Sequence, residues 1–541
     1  MPRRQLTPEM LQEIRDLAAG WGKIVARRAF GDSGPGLDVD FDTMEQIARA
    51  AAAGLTEGTL STALEQQAQS LGEQQPCPAC GAPCPVRRQP RALASPGATV
   101  THSEPVCHCP ACRRDFSPQR PPLRLDNHAY SPAALRLVVL LSARLGSFAD
   151  AAFALTETGL PISAQHARTL AGQVGAELVE QRDRKADQNR GKLPVRVAHT
   201  PQVVAVEVDG GRIRTRAGGA GPGVHEAQNK EDKVACLVTL DSQVSTQDPQ
   251  PEPPSSFLQP RRVQRLVQQM AGQAGETADT AEPPENQARE PPARRDPEQE
   301  PWAPRKRLRT CVASLAGSEA FGRMVAAEAK ERDFYRAQRK AFVADGAAYN
   351  WKLQERRFAG FTPIVDFLHV VCYVYRAAWA VAADEAGRWR QYVEWLRACW
   401  QGRVGEVVGQ LRDWQGRIGR PPPGEELAAT DPRRAVAEAL SYFGHNAGRM
   451  KYPEYRRAGL PTTSSLVESL VGEVNARVKG KQKYWNRGAG AEAILQLRAA
   501  VLSEDDRLDR YLADRPGSPY RRRQKQGQHT APGKVATSQT R

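Results

Sequence analysis

Three observations predict a multidomain α/β protein. Two Cys-Pro-Ala-Cys segments mark a small module of their own. Short alternating apolar runs such as VVAVEVDG and VACLVTL, starting near residue 201, mark a sheet. Helically spaced segments flank both, the longest of them rich in tryptophan. At 541 residues the chain has room for about two to four domains, each with a substantial core.

In chain order, residues 1–75 are rich in Ala, Gln and Leu and read as an N-terminal helical region. Residues 76–120 turn to cysteine, proline and short polar stretches. Over 121–190, SPAALRLVVLLSARLG, SFADAAFALTETGLPIS and AQHARTLAGQVGAELVEQRDR read as three helices. Gly159 and Pro161 break the last two at helix-turn-helix spacing. The β-rich core covers 198–241 and 308–363, its first two runs joined by a Gly-Gly turn at Gly210 and Gly211. Between them, 242–307 has the prolines, charges and scarce aliphatics of a disordered insert, with one short helix at VQRLVQQM. An all-α segment occupies 364–455, a further helical segment 456–515, and a basic tail without predicted structure 516–541.

The formal net charge of +15 favours a polyanionic partner, although the C-terminal tail supplies part of the excess. The most apolar stretch, LRLVVLLSARLG, is flanked and broken by Arg136 and Arg144, so neither a signal peptide nor a membrane span is expected. The close pairing among ten cysteines indicates metal binding in a reducing cytoplasm and excludes a secreted disulfide framework.

Cys77 with Cys80, and Cys109 with Cys112, have the spacing of two zinc knuckles. Two such knuckles joined by a hairpin complete a closed four-cysteine site in a zinc ribbon, which is structural because four thiolates leave no open position. Cys84 and Cys107 break the paired spacing and are read as bystanders.

Asp209 and Asp345 each end a β run and precede glycine, where a carboxylate can hold a hard cation; taken alone, either one is more simply an ordinary Asp-Gly turn. Glu468 lies early in a helix. Ser465-Leu-Val-Glu468 fits a capping box, but the same geometry lines Glu468 up with Gly472, Asn475 and Lys479 opposite the apolar face. Arg477, Lys479, Lys481, Lys483 and Arg487, with Tyr484 and Trp485 among them, form a basic, aromatic strip suited to phosphates and unpaired bases. Asp366 and His369 are three residues apart and share a helix face; beside Val370, Val371 and Tyr373 the histidine reads first as a structural core residue, with an accessory role at the site as the alternative.

In this order, with VADGAAYNWKL, DFLHVV and RMKYPEYRRAGLPTTSSLVESLVGEVNARVKGKQKYWNRGAGAEAILQLRAAV, the motifs resemble bacterial insertion-sequence transposases of the ISKra-type group, and more distantly the Mutator-like ones. The resemblance spans roughly residues 70–515 and is most specific over 440–502. It implies an RNase H-like core interrupted by an all-α insertion, with Asp209, Asp345 and Glu468 as an Asp–Asp–Glu triad for two Mg²⁺ or Mn²⁺ ions. It also implies a zinc ribbon and helix-turn-helix for transposon ends, DNA as partner, a homodimer or larger assembly on DNA, and a nucleoid location. Thr463-Ser464-Ser465 departs from the family's Gly-Ser-Gly, and Gly480-Lys481-Gln482-Lys483-Tyr484-Trp485 departs from its Gly-Ser-Gly-Met-Arg-Trp. Two other functions fit the same motifs: a zinc-dependent DNA-binding regulator with relic carboxylates, and a nuclease of the same fold that cleaves without joining.

Overall fold

The computed structural model describes residues 6–189, 200–216, 227–274, 302–428, 430–479 and 483–520. Within these, the side chains of 227, 271–274, 465, 466 and 468 lie outside the description. The chain divides into two compact units, one formed by Met1–Leu141, Phe148–Ala167 and Asp509–Arg541, the other by Ser142–Ser147 and Arg168–Leu508. Among the described residues no helix is long and apolar enough to cross a membrane.

The first unit opens with two long helices, α1 (Pro8–Phe30) and α2 (Phe41–Gln69). Each starts at a side-chain cap that satisfies an orphan amide: Thr7 accepts from Met10 N at 3.2 Å, and Asp40 from Thr43 N at 2.9 Å. A four-stranded antiparallel sheet follows in the order β1 (Gln74–Pro76), β2 (Pro83–Ser95), β3 (Ala98–Cys109), β4 (Arg114–Phe116). Ser95 pairs with Ala98 across a two-residue turn, where Gly97 supplies the positive φ of 84°. Beneath this sheet Glu104 is buried but paired with both Arg91 and Arg120. Then come α3 (Arg120–Leu123), α4 (Pro132–Arg144), α5 (Phe148–Glu157) and α6 (Ala164–Gln188), with α6 belonging to the second unit from Arg168 onward.

The second unit is built on a mixed five-stranded sheet. Its strands are β5 (Val203–Arg216), β6 (Ala227–Asp241), β7 (Arg305–Ser314), β8 (Arg339–Ala344) and β9 (Thr362–Val365), in the spatial order β7-β6-β5-β8-β9. β5, β6 and β7 are antiparallel, whereas β8 and β9 run parallel to β5. The run Val203–Val208 is buried at every position, as expected of a central strand covered on both faces. Its helices are α7 (Pro260–Ala274), α8 (Ser318–Glu331), α9 (Ala348–Arg357), α10 (Phe367–Val381), α11 (Glu385–Trp400), α12 (Val404–Ile418), α13 (Pro432–Asn446), α14 (Tyr452–Arg457), α15 (Ser465–Val478) and α16 (Gly488–Leu502). A last helix, α17 (Arg507–Asp514), leads back to the first unit.

Four expectations change. Gly210 and Gly211 form no turn: they lie inside one continuous β5, opposite Lys233 and Asp232 of β6. Residues 242–274 are ordered, because their polar groups meet partners on the helical segment that composition cannot reveal. Arg456, fully buried, donates to Asp248 at 2.8 Å, Trp400 Nε1 to Gln250 O at 2.9 Å, and Tyr392 Oη to Phe257 O at 2.9 Å. The rest of the insert, 275–301, lies outside the described residues. The boundary expected at 363/364 falls inside β9, a strand too short and too proline-interrupted to read from sequence. Finally, Ser518 N donates to Leu125 O at 3.0 Å and Ser117 N to Pro519 O at 3.2 Å, so the tail is ordered as far as Tyr520; residues 521–541 lie outside the description.

Candidate functional site

In the first unit, the four sulfurs of Cys77, Cys80, Cys109 and Cys112 all lie within 4.8 Å of one another. Cys77 directly follows β1 and Cys109 ends β3, so the sheet itself brings the knuckles together. Gly81, at φ 75°, turns the first knuckle and donates its N–H to Cys77 O at 2.9 Å. The Sγ separations of 3.9 Å for Cys77–Cys112 and 3.5 Å for Cys80–Cys109 suit a tetrahedral ion. A Zn–S bond of about 2.3 Å requires sulfurs about 3.8 Å apart. Hydrogen bonds from the Ala79 and Cys80 amides lower the Cys77 thiol, while Cys112 beside it is pushed up by hydrogen bonding to Cys80 and by burial, as expected of crowded thiols that share their protons. Cys84 spends its S–H on Ala82 O at 3.3 Å, and with Cys107 it packs around Phe116. This donor set fits one zinc ion. Among the described residues no other group of three or more ligand side chains is gathered this closely.

In the second unit, three acids come level with one another where β8 and β9 end and β5 continues past them. Val208 of β5 is level with Ala344 of β8, and Ala344 with Val365 of β9. The next residues along are Asp209, Asp345 and Asp366. In open α/β sheets this edge is where ligands bind. Asp345 Oδ1 accepts from Ala347 N at 2.9 Å and from Asn350 Nδ2 at 2.8 Å, which fixes the carboxylate. Gly346 takes φ 102°, and a Cβ there would lie 2.7 Å from the Tyr442 ring, so the glycine is required twice over. Burial pushes the Asp209 carboxyl up to about 6; the charge of His369 opposes that rise, and the charges of Asp345 and Asp366 add to it.

Asp366 is fully buried and fully employed. It caps α10 by accepting from Leu368 N at 3.1 Å, accepts from Ser464 N at 2.8 Å, and lies 2.8 Å from His369 Nδ1 through its other oxygen. Against burial, which would lower it, the hydrogen bond and charge of Asp366 raise His369 to about 9. Asp366 therefore links the imidazolium to the start of α15.

The N-cap of α15 is Ser464, which makes no side-chain cap hydrogen bond, one residue before the Ser465 that the capping box takes as its cap; Glu468 therefore stands one position further along than a box from this N-cap requires. The amide of Val467 instead donates to the buried carboxyl of Glu207 at 2.9 Å. Burial raises Glu207 to about 8, with the Val467 amide opposing. Sequence reasoning passed over Glu207, although an acid inside the apolar run VAVEV was its visible signal.

A second contact aligns the helix. A Cβ on Gly211 would lie 2.7 Å from Asn475 Nδ2 and 2.9 Å from Asp232 Oδ1. From Val467 to Asn475 the helix advances about 12 Å, and from Glu207 to Gly211 the strand advances about 13 Å. α15 thus runs beside β5, touching it on both sides of Asp209. The Glu468 backbone sits in the first turn, at the Glu207 end, while its side chain lies outside the described residues.

The basic strip separates into different roles. Arg477 is buried and donates to Ser142 O at 2.7 Å, so it is a packing residue and not a surface cation. Lys483 closes the end of α15 through Ala476 O at 2.6 Å. Trp485 adds a bridge to the end of β5, with its N bonded to Arg214 O at 3.0 Å and its ring N–H to Val478 O at 2.9 Å. Lys479 is half-buried and acts on Asp232 through its charge, whereas Tyr484 and Arg487 are exposed. Lys481 lies outside the described residues. Two exposed cations that sequence reasoning missed, Arg212 and Arg214, alternate with buried residues along β5; the run RIRTR was their signal.

No protein-family model and no curated protein matches the chain. Among solved structures it is similar to the "Drosophila P element transposase strand transfer complex", with 8% identity over 70% of this chain and 94% of that one and a TM-score of 0.29. A likeness at that score carries no functional conclusion.

Proposed function

We propose that this chain is a DDE-type DNA transposase of the ISKra-type group, with the second unit's sheet as an RNase H-like core and Asp209, Asp345 and Glu468 as its triad. The observation that supports this most is the shared level of Asp209 and Asp345, one inside β5 just past its parallel pairing with β8 and the other directly after β8. Hard oxygen donors at a partly open edge, one of them held at a raised pKa by burial, fit divalent cations. Mg²⁺ or Mn²⁺ held by the three acids would activate the attacking oxygen and stabilise the leaving one.

The chain's own groups supply orientation. Ala347 and Asn350 fix Asp345, the buried Glu207 and Asp366 hold the two amides at the start of α15, and His369 brings a positive charge to the acids. In this reading water attacks the phosphate at a transposon end and frees a 3′ oxygen. That oxygen then attacks a target phosphate and displaces a target 3′ oxygen. Arg212, Arg214, Arg487 and Tyr484 offer exposed contacts to phosphates and unpaired bases. The four-cysteine module at 76–120 and the helices of 121–190 would bind the terminal inverted repeats, in a nucleoid-associated cytoplasmic protein. The all-α segment after β9 would be the insertion.

Glu468→Gln tests the reading. As a structural residue, Glu468 would tolerate an amide with full activity. As part of the triad it would not, because the amide gives up the charge that holds a cation. Glu468→Gln, Asp209→Asn and Asp345→Asn should each keep binding to transposon ends yet lose strand transfer of a labelled end. Wild-type activity in Glu468→Gln would remove it from the triad.

A further inference from the structure

We propose that α1 is a self-association helix, whose exposed apolar seam pairs antiparallel with α1 of a second copy of this chain. No described residue of this 23-residue helix is buried. Ile14, Leu17, Trp21 and Ile24 are 57, 67, 54 and 58% exposed, so the helix presents its largest apolar groups to solvent. A monomer gains nothing from such a stripe, which marks an interaction surface.

The spacing identifies the kind of partner. Ile14, Leu17, Trp21 and Ile24 recur at alternating steps of three and four, the seam by which one helix packs on another. A helix this long, about 35 Å, offers three turns or more of such contact.

The charges identify the partner and its direction. Exposed Glu9, Glu13 and Asp16 occupy the first half of the helix, with Arg15 the exception, and exposed Lys23, Arg27 and Arg28 occupy the second. Two copies laid antiparallel set each acidic half against a basic half, whereas a parallel pair sets like against like. With Ile14 and Trp21 at a positions and Leu17 and Ile24 at d, Glu13 and Arg27 both fall at g, the flanking positions that meet between antiparallel copies. The macrodipoles of an antiparallel pair also oppose. Arg27 has an ion pair with Asp32 at 3.0 Å, but both side chains are more than three-quarters exposed, so it is free to exchange. The complementary partner is the helix itself.

Sedimentation equilibrium of the full-length chain at micromolar concentration tests this, with zinc content and the melting curve as controls for folding. The wild type should be dimeric. Trp21→Glu, at an exposed site where folding is unaffected, should weaken the dimer by about a hundredfold or more. Glu13→Arg and Arg27→Glu should each weaken self-association by about three- to tenfold, from two symmetric surface pairs. An equimolar mixture of those two variants should recover wild-type affinity as heterodimers, because both g pairs are then opposite in sign. A monomeric wild type, or a dimer that Trp21→Glu leaves intact, would overturn the proposal. A monomer that binds anionic vesicles through this face would do the same and give the seam to lipid. Single charge variants without effect would overturn the antiparallel pairing.

Discussion

Replacing Gly211 by alanine separates a turn glycine from a packing glycine and reaches the candidate triad without touching it. The new methyl would lie 2.7 Å from Asn475 Nδ2, 2.9 Å from Asp232 Oδ1 and 3.1 Å from Asn475 Oδ1. The first two separations are shorter than any ordinary contact. All three atoms belong to side chains that are at least nine-tenths buried, so they cannot swing into solvent. Something must shift, and α15 is the element that carries Asn475. Overpacking of this kind costs about 1–3 kcal/mol. For a unit of this size that is a fall of about 1–4 °C in melting temperature. Because the same helix carries Glu468, strand transfer should fall further than stability alone explains. Asn475→Ala in the same chain removes two of the three contacts and leaves only that with Asp232 Oδ1, and Asn475 Oδ1 has no hydrogen-bond partner among the described residues, so its loss costs little. The double variant Gly211→Ala/Asn475→Ala should therefore be more stable than Gly211→Ala alone, a coupling of about 1 kcal/mol or more. Calorimetry of the four proteins, with strand transfer on each, measures the cycle. Additive effects, or a Gly211→Ala protein with wild-type melting and activity, would refute the close approach of α15 to β5.

Two other predictions concern the metal centre and the buried pair. Cys80→Ser should lose the zinc that the purified protein carries, at about one ion per chain, while Cys84→Ser should keep it, since Cys84 is bonded to Ala82 O; elemental analysis decides, and equal loss from both would reassign the ligands. His369, raised from its ordinary 6.5 to about 9, contributes stability that is fully present below pH 6.5 and lost as pH rises through 9. That contribution is about 3 kcal/mol, mainly from Asp366 with Asp345 and Asp209 adding, and the His369–Asp366 pair is counted once. Melting temperatures of the wild type and His369→Gln should converge between pH 6.5 and 9.5, and curves that stay parallel would show His369 to be neutral.

Where local chemistry decides the outcome, the sequence alone was enough to read it. Cys77, Cys80, Cys109 and Cys112 announce their cluster because a knuckle is a four-residue object, and the hairpin that joins the two pairs is itself local. Asp345 was legible as a strand-end acid for the same reason, since alternation and a following glycine lie within a few residues of it; the same signal at Asp209 misplaced the end of β5, which runs on to Arg216. What the sequence could not state is that these two strands are neighbours and parallel, since that depends on hydrogen bonds between residues more than a hundred positions apart. The same limit explains the misread glycines. Gly-Gly normally signals a turn, but at Gly211 the absent side chain makes room for Asn475 of a helix formed far downstream. Arg477 looked like one more cation in a basic strip, and only packing against the Ser142 carbonyl makes it an interior residue. Glu207 and Asp366 became clamps for the start of α15 because burial left each carboxyl with a backbone amide of that helix as a partner, a pairing that exists only once the sheet and the helix have met.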